Sequence, residues 1–172
     1  SSQSYADYRS SAQGGNFTVG LFFSEKLYDE YFYGYHHPLA IRNFIKSVEK
    51  NSPILKYILL LGKGQEYQTI RYNRKNRDAF DLVPAIGLPA SDYLYVSDLS
   101  AKSLAISTPI GRIPAKSDQE VVNYLDKLKE HESLDPAPWM KHIVQIAGGK
   151  NNNENTQFKG HLDSYYAIAN TS

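Results

Sequence analysis

Lys56–Tyr67, KYILLLGKGQEY, is a run of apolar residues that stops at a glycine, a lysine and a second glycine. An apolar run without alternation predicts a central strand of a mainly parallel sheet, covered on both faces by helices. The Gly-Lys-Gly end allows two readings, a phosphate-binding loop or a plain turn. LGKGQEYQT lacks the four-residue gap between glycines and the Gly-Lys-Ser/Thr ending, and no helix with free N–H groups clearly follows. The turn is the better reading, with Gly62 and Gly64 there for backbone freedom.

Outward from this strand, helical and strand patterns alternate. NFTVGLFF (Asn16 to Phe23) is β-branched and aromatic and reads as a buried strand. Ser24 is placed to cap a helix EKLYDEYFY that stops at Gly34. HHPLAIRNFIKSVEKNSP is the clearest helix, with Pro38 in its first turn and Pro53 just past its end. Ile41, Phe44, Ile45 and Val48 share one face, and burying them contributes roughly 6–12 kcal/mol as an upper bound. Thr69 to Asp81 reads as a polar loop, and SLAIS as a hairpin strand against YLYV.

SDQE, Ser117 to Glu120, is a capping box before a helix whose inner face is Val121, Tyr124, Leu125 and Leu128. DPAPW ends that helix, HIVQIA reads as another strand, GGKNNNENTQ as a flexible loop, and a last helix starts near Phe158. The alternation predicts one α/β domain over residues 1–172 with three α/β/α layers, caspase-like or Rossmann-like, incomplete at both ends.

The 172 residues carry a net charge of +1, so no global field recruits nucleic acid or anionic membrane. No apolar run is long enough to span a bilayer. The first residues, SSQSYADYRSS, lack the apolar centre of a signal peptide. With no cysteine, these residues supply no disulfide, thiolate metal site or cysteine nucleophile. The 14 tyrosines suit the surface or sheet of a secreted protein, or else a sugar- or peptide-binding face.

Candidate chemistry is sparse. His36 and His37 are adjacent and point apart, so they read as a pair at a helix start and not as metal ligands. Arg71, Arg74, Lys75 and Arg77 form one basic cluster beside Tyr67 and Tyr72, diluted by Asp78 and Asp81, and read as a solvated loop. Asp92 and Asp98 could hold a hard cation such as Ca²⁺ with loop carbonyls, although two carboxylates are few. No other cofactor is implied. No Gly-x-Ser-x-Gly elbow exists, and His131 and His142 read as a solvated helix end and a strand start.

In order along the chain, YADYRSS, EKLYDEYFYGYHHPLAIRNFIKSV, YILLLGKG, LPASDYLYVSD, IGRIPAKSDQEVVNYLDKLKEHE and WMKHIVQIAGGKN…FKGHLD resemble the catalytic domain of gingipain-type cysteine peptidases. The nearest likeness is to the sortase-like surface peptidase of the type IX secretion system in Bacteroidetes. The resemblance implies a caspase-like fold, a secreted, cell-surface or outer-membrane location, and protein or peptide partners. It also implies a strand ahead of YADYRSS and a catalytic His and Cys after Ser172, so that the remainder of the same parent domain is itself a partner.

The departures are specific. After the LLLG strand the family usually carries an Asp, where Lys63 stands here. After the strand that follows Trp139 it carries acids supporting the catalytic His, where Gly148, Gly149 and Lys150 stand. His161 matches a family His. Phe158 stands where arginine-cleaving members carry an acid, so the resemblance does not imply arginine preference. It thus marks Lys63, Asp92, Gly149, Lys150, Phe158 and His161 as an active-site edge with no catalytic residue in it. Lys63 and Lys150 are expected on one edge of one parallel sheet. The expected role is a degenerate scaffold or binding module; an active peptidase parent using another acid such as Asp92 or Asp98, and a Rossmann-like ligand-binding domain, are the alternatives.

Overall fold

The structure, a computed structural model, describes residues 1–52, 54–73, 75, 80–98 and 106–170. These form two compact units, Ser1–Ser133 and Leu134–Ser172. The fold is α/β.

In the first unit β1 (Ile58–Leu61) and β2 (Ile110–Ile113) pair in parallel, Ile58 opposite Ile110 and Leu61 opposite Ile113. Alternation along β1 sends neighbouring side chains to opposite faces. Ile58 and Leu60 join Leu27, Tyr28, Ala40, Ile41 and Ile45, which come from α2 (Ser24–Tyr31) and α3 (Pro38–Asn51). Leu61 joins Ile113, Ala115, Val121 and Tyr5, so α1 (Ser2–Ser10) and α5 (Asp118–Glu132) cover the other face. The three layers are those the alternating pattern predicts. Between the strands lie α4 (Tyr67–Tyr72) and a 3₁₀ turn, Asp92–Tyr95.

Pro38 opens α3, and the His37 side chain caps it by accepting from the Leu39 N–H at 3.1 Å. Ser117 caps α5, accepting from Glu120 N at 3.4 Å, while the Glu120 carboxylate accepts from Lys116 N at 2.9 Å, one residue earlier than the usual box. On α5, Val121 and Leu125 are buried, but Tyr124 is 43% exposed. Its ring lies 6.5 Å from that of Tyr5. Glu132 at the end of α5 accepts from Tyr8 (2.6 Å) and Arg9 (2.8 Å) of α1.

Several expectations are corrected. Residues 16–23 lie in no strand, because none of the N–H groups of residues 18–22 has a backbone partner among the described residues. Phe23 occupies the N-cap position of α2, so Ser24 is its first residue and not its cap. β1 has one neighbour, β2, and is not central among the described residues. Residues 69–72 belong to α4 and not to a loop, YLYV is mostly the 3₁₀ turn, and among the described residues Ser97 and Ile106 form an antiparallel bridge. Positions 53, 74, 76–79 and 103–105, including Pro53, Arg74, Arg77, Asp78 and most of SLAIS, lie outside the described residues.

In the second unit HIVQIA pairs with no strand among the described residues, with Ile143, Val144 and Ile146 66%, 82% and 88% exposed. A β-branched run becomes a strand only where a neighbour supplies its hydrogen bonds. The Asn-rich stretch is not a loop but the start of α6 (Asn152–Asn170). Asn151 Oδ1 accepts from Glu154 N at 3.0 Å, and the Glu154 carboxylate accepts from Lys150 N at 2.8 Å. This repeats the Lys116–Ser117–Glu120 arrangement, and asparagine is as good a cap as serine.

α3 is tied to the segment ahead of β2 by polar contacts. Lys46 donates to Glu49 (2.8 Å) and Val96 O (2.9 Å), and Thr108 Oγ1 donates to Glu49 at 2.9 Å. Burial works to raise the Glu49 carboxyl, but hydrogen bonds from Lys46, Ser107 and Thr108 outweigh it and hold the carboxyl below its ordinary value of 4.5. A depressed folded-state value stabilises the fold above pH 4.5, and that stability is lost as pH falls through the folded value. Glu49→Gln is expected to flatten the acid limb of urea-unfolding stability below pH 4.5; an unchanged acid limb would contradict the assignment.

Gly62 has φ +142°, and a Cβ there would lie 2.7 Å from Val83 Cγ2. Gly62→Ala is therefore expected to cost roughly 1–3 kcal/mol in urea unfolding. A neutral effect would show that the turn relaxes.

Candidate functional site

The carboxyl end of the sheet is where the candidate residues of the first unit gather. Gly62 N donates to Ile113 O and Lys63 N to Ala115 O, both at 2.9 Å. Successive residues of a regular strand alternate sides, so the left-handed φ of Gly62 is what lets both amides reach β2. Lys63 O accepts from Leu82 N (2.9 Å) and Val83 N (3.3 Å), and Gln65 N donates to Asp81 Oδ1 at 2.9 Å. A Cβ at Gly64 would lie 2.6 Å from Val83 O, so that glycine admits the crossing chain. The amides of residues 62, 63 and 65 are thus spent on protein acceptors and do not cradle a phosphate. A helix does follow, but α4 has six residues and its N-cap, Glu66, makes no side-chain cap.

Arg112 of β2 organises this end. Its Nε and Nη2 donate to the two carboxylate oxygens of Asp92 at 2.8 and 2.7 Å. Nη1 donates to Gly62 O and Val83 O, both at 2.7 Å, and Nη2 to Pro84 O at 3.2 Å. The pair is mostly buried, with side chains 12% and 26% exposed. Asp92 with loop carbonyls was a possible cation cradle; the cation they hold is the guanidinium of Arg112. Beneath it Tyr95 is fully buried and donates to Pro84 O at 2.5 Å. Burial pushes its phenol far above the ordinary value, so it stays a donor.

A second polar cluster lies behind the turn. Asp81 is fully buried, and its Oδ2 is 3.4 Å from His36 Nε2. The His36 ring stacks on Tyr28 with centroids 4.7 Å apart. His36 therefore lies against a buried carboxylate and His37 caps a helix, as their place at a helix start suggests. No group of three or more His, Asp or Glu side chains among the described residues is arranged to hold a metal ion. Asp98, Arg71 and Lys75 are exposed.

The remaining candidates lie in the second unit. Gly149 packs closely against α6, where a Cβ would come 2.6 Å from that of Glu154. Lys150 immediately precedes the helix cap, and Phe158 (41% exposed) and His161 follow on α6. Lys63 and Asp92 are thus brought together at the sheet end. Gly149, Lys150, Phe158 and His161 are grouped separately along the start of α6.

Residues 1–171 match the family model for peptidase family C25. The chain belongs to peptidase family C25. This is the gingipain family, so the motif resemblance holds at family level, and the domain is of the gingipain-like cysteine peptidase kind. No curated protein and no solved structure matches the chain. No described helix is long and apolar enough to cross a membrane.

In this C25 chain the residue that sequence reasoning missed is Arg112. Its signal was present: an arginine inside the apolar run PIGRIP must be paired if the run is buried. Asp81 was masked by its polar neighbours. Arg112→Ala leaves Asp92 and three carbonyls without their donor, and the expected loss in urea unfolding is about 3–5 kcal/mol. Arg112→Lys restores little, since an ammonium cannot make the two-pronged contact. Full rescue by lysine would contradict the clamp.

Proposed function

We propose that residues 1–172 are the supporting part of a gingipain-like domain that is catalytically degenerate and acts as a scaffold or binding module in surface secretion or processing. The observation that carries this reading is the Arg112–Asp92 clamp. The Asp92 carboxylate at the sheet's carboxyl end is spent on architecture, with both oxygens engaged by one guanidinium. A carboxylate so held is a poor partner for a catalytic imidazole, which needs a free acceptor oxygen. The nearby Lys63 stands where family members carry an acid, and Lys150 repeats that exchange in sequence; a lysine cannot accept an imidazole N–H. The 172 residues contain no cysteine, so no thiolate nucleophile comes from them.

The finer placement, near the sortase-like surface peptidase of type IX secretion in Bacteroidetes, rests on the motif resemblance, as does a secreted or outer-membrane location. The rival is an active parent peptidase whose His and Cys lie outside these residues. Engagement of Asp92 disfavours it as the supporting acid. The longest natural protein carrying these residues, incubated with a mixed peptide library, is expected to show no cleavage that iodoacetamide abolishes. Iodoacetamide-sensitive cleavage would overturn the degenerate reading and establish an active peptidase.

A further inference from the structure

Past the end of α1 the chain reverses in a tight turn. Gly14 N and Asn16 N both donate to Ser11 O, at 3.1 and 2.9 Å, and Phe17 N donates to Arg9 O at 3.0 Å. Gly15 and Asn16 leave the turn with φ of +104° and +53°. Two successive left-handed residues redirect the chain, and asparagine is among the few residues with a side chain that adopt this conformation readily. The backbone of Asn16 and Phe17 is thus pinned to the end of α1.

The Asn16 side chain is not pinned. The residue is exposed, and its carboxamide makes no hydrogen bond among the described residues. Thr18 is likewise exposed, and its hydroxyl has no partner among them. The residue between them turns back onto the protein, the Phe17 ring meeting Tyr57 edge-on with centroids 5.8 Å apart. A left-handed backbone accounts for an asparagine at position 16. It does not account for a hydroxyl two residues later that no described contact uses.

We propose that Asn16 is an acceptor for an N-linked glycan. Asn16-Phe17-Thr18 is the Asn-x-Ser/Thr pattern with x not proline, and the turn displays it on the surface, where such a bulky group is tolerated. In the transfer, Asn16 Nδ2 forms a bond to the anomeric carbon of an oligosaccharide carried on a polyprenyl diphosphate. The bond from that carbon to the diphosphate oxygen breaks, the diphosphate leaves with the electron pair, and a base of the transferase takes one amide proton. The described fold loses no hydrogen bond, because neither the carboxamide nor the Thr18 hydroxyl is used in it. Asn170-Thr171-Ser172 repeats the pattern, but Thr171 and Ser172 lie outside the described residues. Such transfer acts on chain that has crossed a membrane, so the assignment rests on the secreted or surface location proposed above.

The test is mass spectrometry of the natural protein carrying these residues, recovered from the medium, envelope and cytoplasm of its own cells and cut with trypsin. The peptide 10–26, released after Arg9 and Lys26, is expected to carry the mass of one oligosaccharide, with fragment ions placing it on Asn16. Thr18→Ala is expected to abolish that mass and Thr18→Ser to keep it, with the urea-unfolding midpoint unchanged in both. A modification that survives Thr18→Ala would overturn the proposal. A bare peptide from protein recovered outside the cytoplasm would overturn the site and leave the location standing. A bare peptide from protein found only in the cytoplasm would overturn both.

Discussion

The first unit depends on one guanidinium. Arg112 uses all five of its N–H donors: two on Asp92, and one each on Gly62 O, Val83 O and Pro84 O. These acceptors belong to the end of β1, to the chain that crosses it, and to the 3₁₀ turn. No apolar side chain could satisfy three inward-facing carbonyls, and no other cation has the planar fork that meets a carboxylate with two parallel bonds. The left-handed Gly62, the absent side chain of Gly64 and the buried Tyr95 hydroxyl all serve the same junction. Each lets backbone approach where a Cβ or an unpaired oxygen would be excluded.

This arrangement bears directly on function. In open α/β sheets the carboxyl ends of parallel strands are where ligands and catalytic groups gather. Here that end is filled by internal contacts: the strand-end amides bond β2 and Asp81, and the carboxylate bonds Arg112. The C25 family assignment states what kind of domain this is, and the site states what these residues contribute to it. Among the described residues, that end is occupied by the Arg112–Asp92 pair and the turn it fastens.

Much of the fold was legible because it is local. The periodicity of α3, with Pro38 at its start, and the Ser117 cap of α5 are written in neighbouring residues, and the structure follows them. The errors cluster where a partner decides. Residues 16–23 and HIVQIA have strand composition but pair with no strand among the described residues. The Asn-rich stretch looked like a loop because its asparagine cap was masked by low complexity. β2 went unmarked because Gly111 and Arg112 break its apolar run, although Arg112 is the residue that holds the sheet end. Of the candidate site, Asp92 meets a cation that is the side chain of a residue 20 positions away, a pairing that local sequence does not mark.

The sheet end depends most directly on the coupling between Arg112 and Asp92. A double-mutant cycle with Arg112→Met and Asp92→Leu, read by urea unfolding, isolates that term. Strong coupling is expected, on the order of 2–3 kcal/mol, with the double variant less destabilised than the sum of the single ones. Additivity within about 0.5 kcal/mol would contradict it, since the pair would then be a contact and not the constraint that holds the sheet end together.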